Sequence, residues 1–239
     1  YMDISRSTLP SRGYKADLPE VLSMDMFGGA SLNYLGKAME TNDMVHIIEA
    51  LGTVAKFDVG QLSVPDAMFL AYLQRVALKE VSQLRVTARC RHPVFHQADG
   101  TTLYSLKKKT GPVVDSSPCN SIIYGDLDQK ESLLITLPDD EAIAQYSGRT
   151  FSLPRAAHLI ELGTASVSSV DWVALHLDMS AAEAKQMLAE QTDLRLWMEL
   201  SNWAAFATHG LSTVVQAKCP VCGRVSDVTW RMVPQMFLL

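Results

Sequence analysis

The sequence predicts an α+β fold, with helical segments packed with short antiparallel strands in two pseudo-repeated helix–strand–Cys halves. Three observations carry this. Apolar residues recur at helical spacing near both ends of the chain, as in Leu32, Leu35, Met39 and again from Leu194 to Phe206. Shorter runs alternate instead, such as Leu84, Val86 and Ala88 against Arg85, Thr87 and Arg89. Finally, Val86-Thr87-Ala88-Arg89-Cys90 and Val215-Gln216-Ala217-Lys218-Cys219 share one pattern, Val-x-Ala-basic-Cys, each after a helical stretch.

Taken in order, residues 1–27 hold Pro10, Gly13 and Pro19 with little periodicity. They read as an extended N-terminal arm or a pair of short strands, turning at Leu9-Pro10-Ser11-Arg12-Gly13. Residues 28–90 form a first helical half with a strand into Cys90. Asn42 or Asp43 caps its second helix, and Ser63 with Pro65 opens its third. Residues 91–155 read as a loop with short strands: polar and aperiodic from Arg91 to Pro118, then strand signals at Ile122–Leu127, Ser132–Leu137 and Phe151–Arg155. Residues 156–239 form a second helical half. Ser180 and Glu183 sit at capping-box spacing, Gly210 follows the last helix, and strands flank Cys219-Pro220-Val221-Cys222-Gly223.

Composition excludes several classes. Apolar residues make up 48% of the 239 and charged ones 20%, which is ordinary for a folded globular chain. A net charge of −5 argues against nucleic-acid binding by phosphate neutralisation. Lys107-Lys108-Lys109 is a solvated loop on this reading. No apolar run has the length of a bilayer span, and no signal-peptide pattern opens the sequence.

The sharpest motif is Cys219-Pro220-Val221-Cys222-Gly223. Two thiolates two residues apart, in a turn relaxed by glycine, supply half of a tetrahedral metal site. Through the Val-x-Ala-basic-Cys echo, Cys90 takes the place of Cys219, and Cys119 that of Cys222. The four cysteines Cys90, Cys119, Cys219 and Cys222 are therefore read as one metal centre that staples the two halves. Zinc is the expected metal, with an iron–sulfur cluster as the alternative. His92 and His96 are further candidates in place of Cys119.

Other chemistry is sparse. There is no GxGxxG, GxxxxGK[ST], HExxH or GxSxG motif. Asp139-Asp140-Glu141 reads as a solvated turn, and Asp126 with Asp128 lacks a fuller oxygen-ligand loop. His158, His176 and His209 read as packed histidines, and Trp172, Trp197 and Trp203 as packing or interface anchors. No catalytic residues assemble, so no enzyme is expected.

Four segments carry a resemblance: Thr8-Leu9-Pro10-Ser11-Arg12-Gly13-Tyr14, the helical segment ending in Asp66–Leu73, the strand into Cys90, and His209-Gly210 through the knuckle to Gly223. With them, the chain resembles the T-even-type bacteriophage baseplate hub family of contractile tails. The resemblance implies a structural tail protein, assembled in the host cytoplasm and packed in several copies in the virion baseplate. Its partners would be other tail proteins, whether hub, tube or wedge subunits, with no nucleic acid and no membrane. The departure lies in the first cysteine pair, where an insertion separates Cys90 from Cys119. Some phage tail-tip proteins hold an iron–sulfur cluster on four cysteines, which keeps that cofactor open by analogy.

On this reading the apolar arm, with Leu9, Tyr14, Leu18, Val21, Leu22, Met24, Met26 and Phe27, lies along a neighbouring subunit, and Met236-Phe237-Leu238-Leu239 offers a second docking point. Two alternatives stand beside it. One is an assembly chaperone absent from the mature particle; the other is a metal or redox enzyme using Cys219 and Cys222.

Overall fold

A computed structural model of the chain describes residues 1–77, 85–105, 107, 111–126, 134–146, 151–162, 168–190, 194–231 and 233. Among the described residues are eight α-helices and eleven short strands, and every strand pair is antiparallel. The fold is α+β. The chain divides into two compact units: Tyr1–Val81, Leu134–Leu211 and Met232–Leu239 make the first, Ser82–Leu133 and Ser212–Arg231 the second. This division cuts across the four sequence segments. The helices of 28–90 pack in the first unit, whereas the strand into Cys90 finds its pairing partner in the second.

The helical unit opens with β1 (Met2–Ser5) paired to β2 (Val21–Met24), Met2 opposite Met24. The expected pair of short strands is present, and much of the segment's apolar content packs on its own chain. Leu9, Leu18, Leu22 and Met24 are buried within the chain itself. The Ser11 N–H donates to the Asp66 carboxylate at 2.9 Å, and the Ser11 hydroxyl donates to its other oxygen. Arg12 donates to the carbonyls of Leu137 and Pro138 at 2.5 and 2.7 Å. Burying these side chains intramolecularly avoids the entropy lost in association, so the segment belongs to its own core.

Helices α1 (Ser31–Thr41), α2 (Val45–Val54) and α3 (Val64–Ala77) share a cluster of Leu35, Ala38, Ile47, Ala50 and Ala71. Asn42, with φ of 54°, ends α1 in the left-handed conformation that asparagine tolerates. The Asp43 carboxylate then accepts the Val45 N–H at 2.9 Å, and the Ser63 hydroxyl accepts the Asp66 N–H at 3.2 Å. Both starts fall where the sequence puts them.

The later helices are α4 (Asp140–Tyr146), α5 (Ala156–Leu162), α6 (Ser169–Leu177), α7 (Ala181–Glu190) and α8 (Arg195–Phe206). Their core gathers Leu137, Phe151, Leu153, Val173, Leu200 and Trp203. Trp203 stacks on Phe151 at 5.2 Å, and its indole N–H donates to the Ser152 carbonyl at 3.0 Å. Capping boxes open two of these helices, Ser168 with Asp171 and Ser180 with Glu183. Phe151–Arg155 differs from the expected strand: it is extended, and Arg155 bridges Ser63 while the Ser152 N–H donates to the His176 carbonyl. β8 (Leu134–Ile135) pairs with β9 (Gly210–Leu211). Gly210 has φ of 110°, and a Cβ there would lie 2.7 Å from the Pro65 side chain, so only glycine fits.

The cysteine unit consists of hairpins and a small sheet. β3 (Arg85–Arg89) pairs with β7 (Ile122–Asp126), and β10 (Val214–Lys218) with β11 (Val225–Thr229). Ile123, Val215, Ala217, Val228 and Trp230 are buried. A Cβ on Gly125 would collide with the Val215 side chain, so this glycine sets how closely β7 and β10 approach. The stretch expected as a long loop or loose hairpin, Arg91 to Pro118, holds among its described residues a three-stranded sheet of order β5-β4-β6: β4 (Pro93–Gln97), β5 (Thr102–Leu103) and β6 (Val113–Pro118). Polar cross-strand pairs replace the apolar alternation that would have announced it. The His96 ring bonds the Ser117 hydroxyl at 2.9 Å and the Thr102 hydroxyl at 3.3 Å.

Candidate metal centre

Two strands deliver the first cysteine of each pair. In β3 and β10 the alternate positions Val86, Ala88, Cys90 and Val215, Ala217, Cys219 share one face, because a strand repeats every two residues. Each strand end is then closed by the same pair of backbone hydrogen bonds. The Cys90 N–H donates to the Ser121 carbonyl at 2.8 Å, and the Cys90 carbonyl accepts the Asn120 N–H at 2.9 Å. The Cys219 N–H donates to the Arg224 carbonyl at 2.8 Å, and the Cys219 carbonyl accepts the Gly223 N–H at 2.9 Å. Asn120 and Gly223 take left-handed φ of 56° and 71°, which turns the chain back into β7 and β11.

Cys119-Asn120-Ser121 therefore stands to Cys90 as Cys222-Gly223-Arg224 stands to Cys219. The equivalence expected from the Val-x-Ala-basic-Cys echo extends to the hydrogen bonding of these hairpins. The helical part of the expected repeat is carried by none of these bonds.

The geometry brings all four cysteines together. Their sulfurs lie within 4.8 Å of one another. Cys90 Sγ is 3.6 Å from Cys222 Sγ, and Cys119 Sγ is 3.8 Å from Cys219 Sγ, so each close pair joins one hairpin to the other. These separations exceed a disulfide bond, and all four thiols are free. A single ion held by four sulfurs at about 2.3 Å puts the sulfurs about 3.8 Å apart, which this cluster fits. Cys90 and Cys219 are buried, whereas Cys119 and Cys222 are half-buried.

The electrostatics are uneven before a cation enters. Burial pushes the Cys90 thiol up to about 12, with neighbouring thiols adding to it. Burial also works against the Cys219 thiolate, but N–H donors from Cys222 and Val221 and the Ser121 hydroxyl hold it at about 6. The Cys222 N–H lies 3.4 Å from Cys219 Sγ. A divalent cation would reverse this logic by replacing the thiol protons, so binding and proton release are coupled.

The other sequence candidates lie elsewhere. His92 Nε2 sits 3.1 Å from the Val225 carbonyl, and His96 bonds within its own sheet, so neither histidine replaces Cys119. Asp139 accepts the Ala142 N–H at 2.8 Å as a helix cap. His209 bonds the Ser63 hydroxyl at 2.8 Å and the Ala207 carbonyl at 2.7 Å. The His158 ring accepts the Arg155 N–H at 3.2 Å. The buried His176 ring lies tilted on Trp172, with centroids 4.8 Å apart, and burial lowers its pKa. Asp128, Lys108, Lys109 and Met236–Leu239 lie outside the described residues.

Sequence reasoning passed over Asn120 and Ser121. The signal was available: after glycine, asparagine is the residue that best accepts a left-handed turn, and it follows Cys119 as Gly223 follows Cys222. Among the described residues no helix is long and apolar enough to cross a membrane. No family model, curated protein or solved structure matches the chain.

Proposed function

We propose that this chain is a structural component of a phage tail baseplate or hub, a zinc-stapled adaptor that docks onto neighbouring tail subunits during virion assembly. The four-sulfur cluster carries the stapling part of this reading. It draws on every cysteine in the chain, and four protein thiolates fill a tetrahedral shell, leaving no position for substrate or water. A closed site stabilises a fold and does not catalyse.

The compactness of the cluster favours zinc. A polynuclear iron–sulfur cluster interposes several irons and bridging sulfides between its thiolates and would hold them farther apart than a single shared ion does. Sulfur pairs at 3.6 and 3.8 Å suit one ion.

The phage part rests on the resemblance alone. Segments of that resemblance distant in sequence meet in one buried seam. Ser11 holds Asp66, Ser63 reaches His209, and Gly210 packs on Pro65.

Elemental analysis of the purified protein, with mass spectrometry of tail particles that contain it, tests both parts. One zinc per chain without visible absorbance, and a fixed copy number per particle, are the expected results. Iron with sulfide overturns zinc. Absence from finished particles overturns the virion role in favour of an assembly chaperone.

A further inference from the structure

We propose that the Ser121 hydroxyl tunes the metal centre, setting both its affinity and the donor strength of Cys219; this rests on reading the four cysteines as ligands of one ion. Ser121 Oγ lies 2.9 Å from Cys219 Sγ and 3.3 Å from Cys119 Sγ. Its carbonyl accepts the Cys90 N–H at 2.8 Å. One residue on the first hairpin thus touches three of the four cysteines, including one on the second hairpin.

A hydroxyl has one proton to donate, and the shorter contact assigns it to Cys219. That sulfur also faces the N–H groups of Cys222 and Val221, so three donors converge on it. A thiolate whose lone pairs are engaged by donors pushes less charge onto its metal and competes less well for a proton. The bond is one-sided. Arg224, equivalent to Ser121 in the other hairpin, uses its carbonyl in the same way, but its guanidinium turns away to the Tyr104 carbonyl at 2.7 Å. The two hairpins therefore match in backbone and differ in the side chain that reaches the sulfurs. Ser121 is a positioning residue, since it acts on the metal through Cys219.

Because the backbone contribution comes from the carbonyl, substituting the side chain isolates the hydroxyl. Zinc affinity by chelator competition and the absorption spectrum of the cobalt-loaded protein provide two readouts. Ser121→Ala is expected to weaken zinc binding by about 10- to 100-fold. It should also move the sulfur-to-cobalt charge-transfer band to longer wavelength, which a merely structural role would not do. Ser121→Thr should restore the band, and Arg224→Ala should leave it in place. If the alanine variant does not fold, the shape-matched pair Ser121→Thr and Ser121→Val repeats the comparison. Equal affinity and equal spectra with and without the hydroxyl overturn the proposal. A wild-type chain that takes up neither zinc nor cobalt instead overturns the four-thiolate reading beneath it.

Discussion

The helical unit and the cysteine unit hold themselves together by different means. The first buries two apolar clusters, with Trp203, Phe151 and Leu200 in one and Leu35, Ile47 and Ala71 in the other. The second has two-stranded hairpins, a short three-stranded sheet and a handful of buried apolar side chains. Two-stranded hairpins are marginal in water, and so small a core offsets little chain entropy. What the second unit has instead is four sulfurs converging from both hairpins. The difference teaches that the metal, on the reading proposed above, is the core of one unit and irrelevant to the other.

The sharpest way to break this comparison is to remove the metal. A chelator, or Cys219→Ser, should unfold the cysteine unit, with a loss of several kcal/mol, as expected when a structural site disappears. Amide exchange should then show β3, β7, β10 and β11 deprotected while α6 and α8 stay protected. Uniform loss across both units would sink the idea of separate supports.

The converse variant is next in size. Trp203→Ala removes a buried ring and its indole donor, and should cost the helical unit about 3–5 kcal/mol by thermal denaturation. Zinc content per chain should not change.

Gly125→Ala probes how far the cysteine unit also relies on packing. Its new methyl meets Val215, so a cost of about 1–3 kcal/mol is expected, read as a lower melting temperature of the zinc-loaded form. A variant as stable as the parent would mean that the metal alone sets the approach of β7 and β10.

The smallest effect is a pH response confined to the helical unit. Burial holds the pKa of His176 below its ordinary 6.5, so the unfolded chain takes up a proton before the folded one does. Stability from this residue is complete above pH 6.5 and is lost as pH falls below it, levelling off once the folded value is passed. The opening free energy of α8, taken from amide exchange after correction for the pH dependence of the intrinsic rate, should fall from pH 7.5 to 5.5, and His176→Gln should flatten that slope.

What the sequence disclosed follows the same division. Strong local signals were legible: Asp43, Ser63 and Ser180 accept N–H groups two or three residues on, at the starts of their helices. The four cysteines were legible too, because a repeated strand pattern ties Cys90 to Cys219 across a long interval. The β4–β6 sheet was not, since polar pairs such as His96 with Ser117 satisfy it without an apolar face. The fate of the first 27 residues was hidden for another reason. An apolar segment looks the same in sequence whether it covers a neighbour or its own core, and only the fold shows that Leu9, Leu18, Leu22 and Met24 are buried in their own chain.

The insertion between Cys90 and Cys119 has one further consequence. It leaves and returns at adjacent points: Pro93 pairs with Pro118, and the Cys119 N–H donates to the His92 carbonyl at 2.8 Å. The Cys90–Cys119 pair therefore behaves as a socket. Closing a longer loop on it costs only about 0.6 kcal/mol per doubling of length, so evolution or an engineer can exchange the inserted cassette for another while the ends that plug into the socket stay the same.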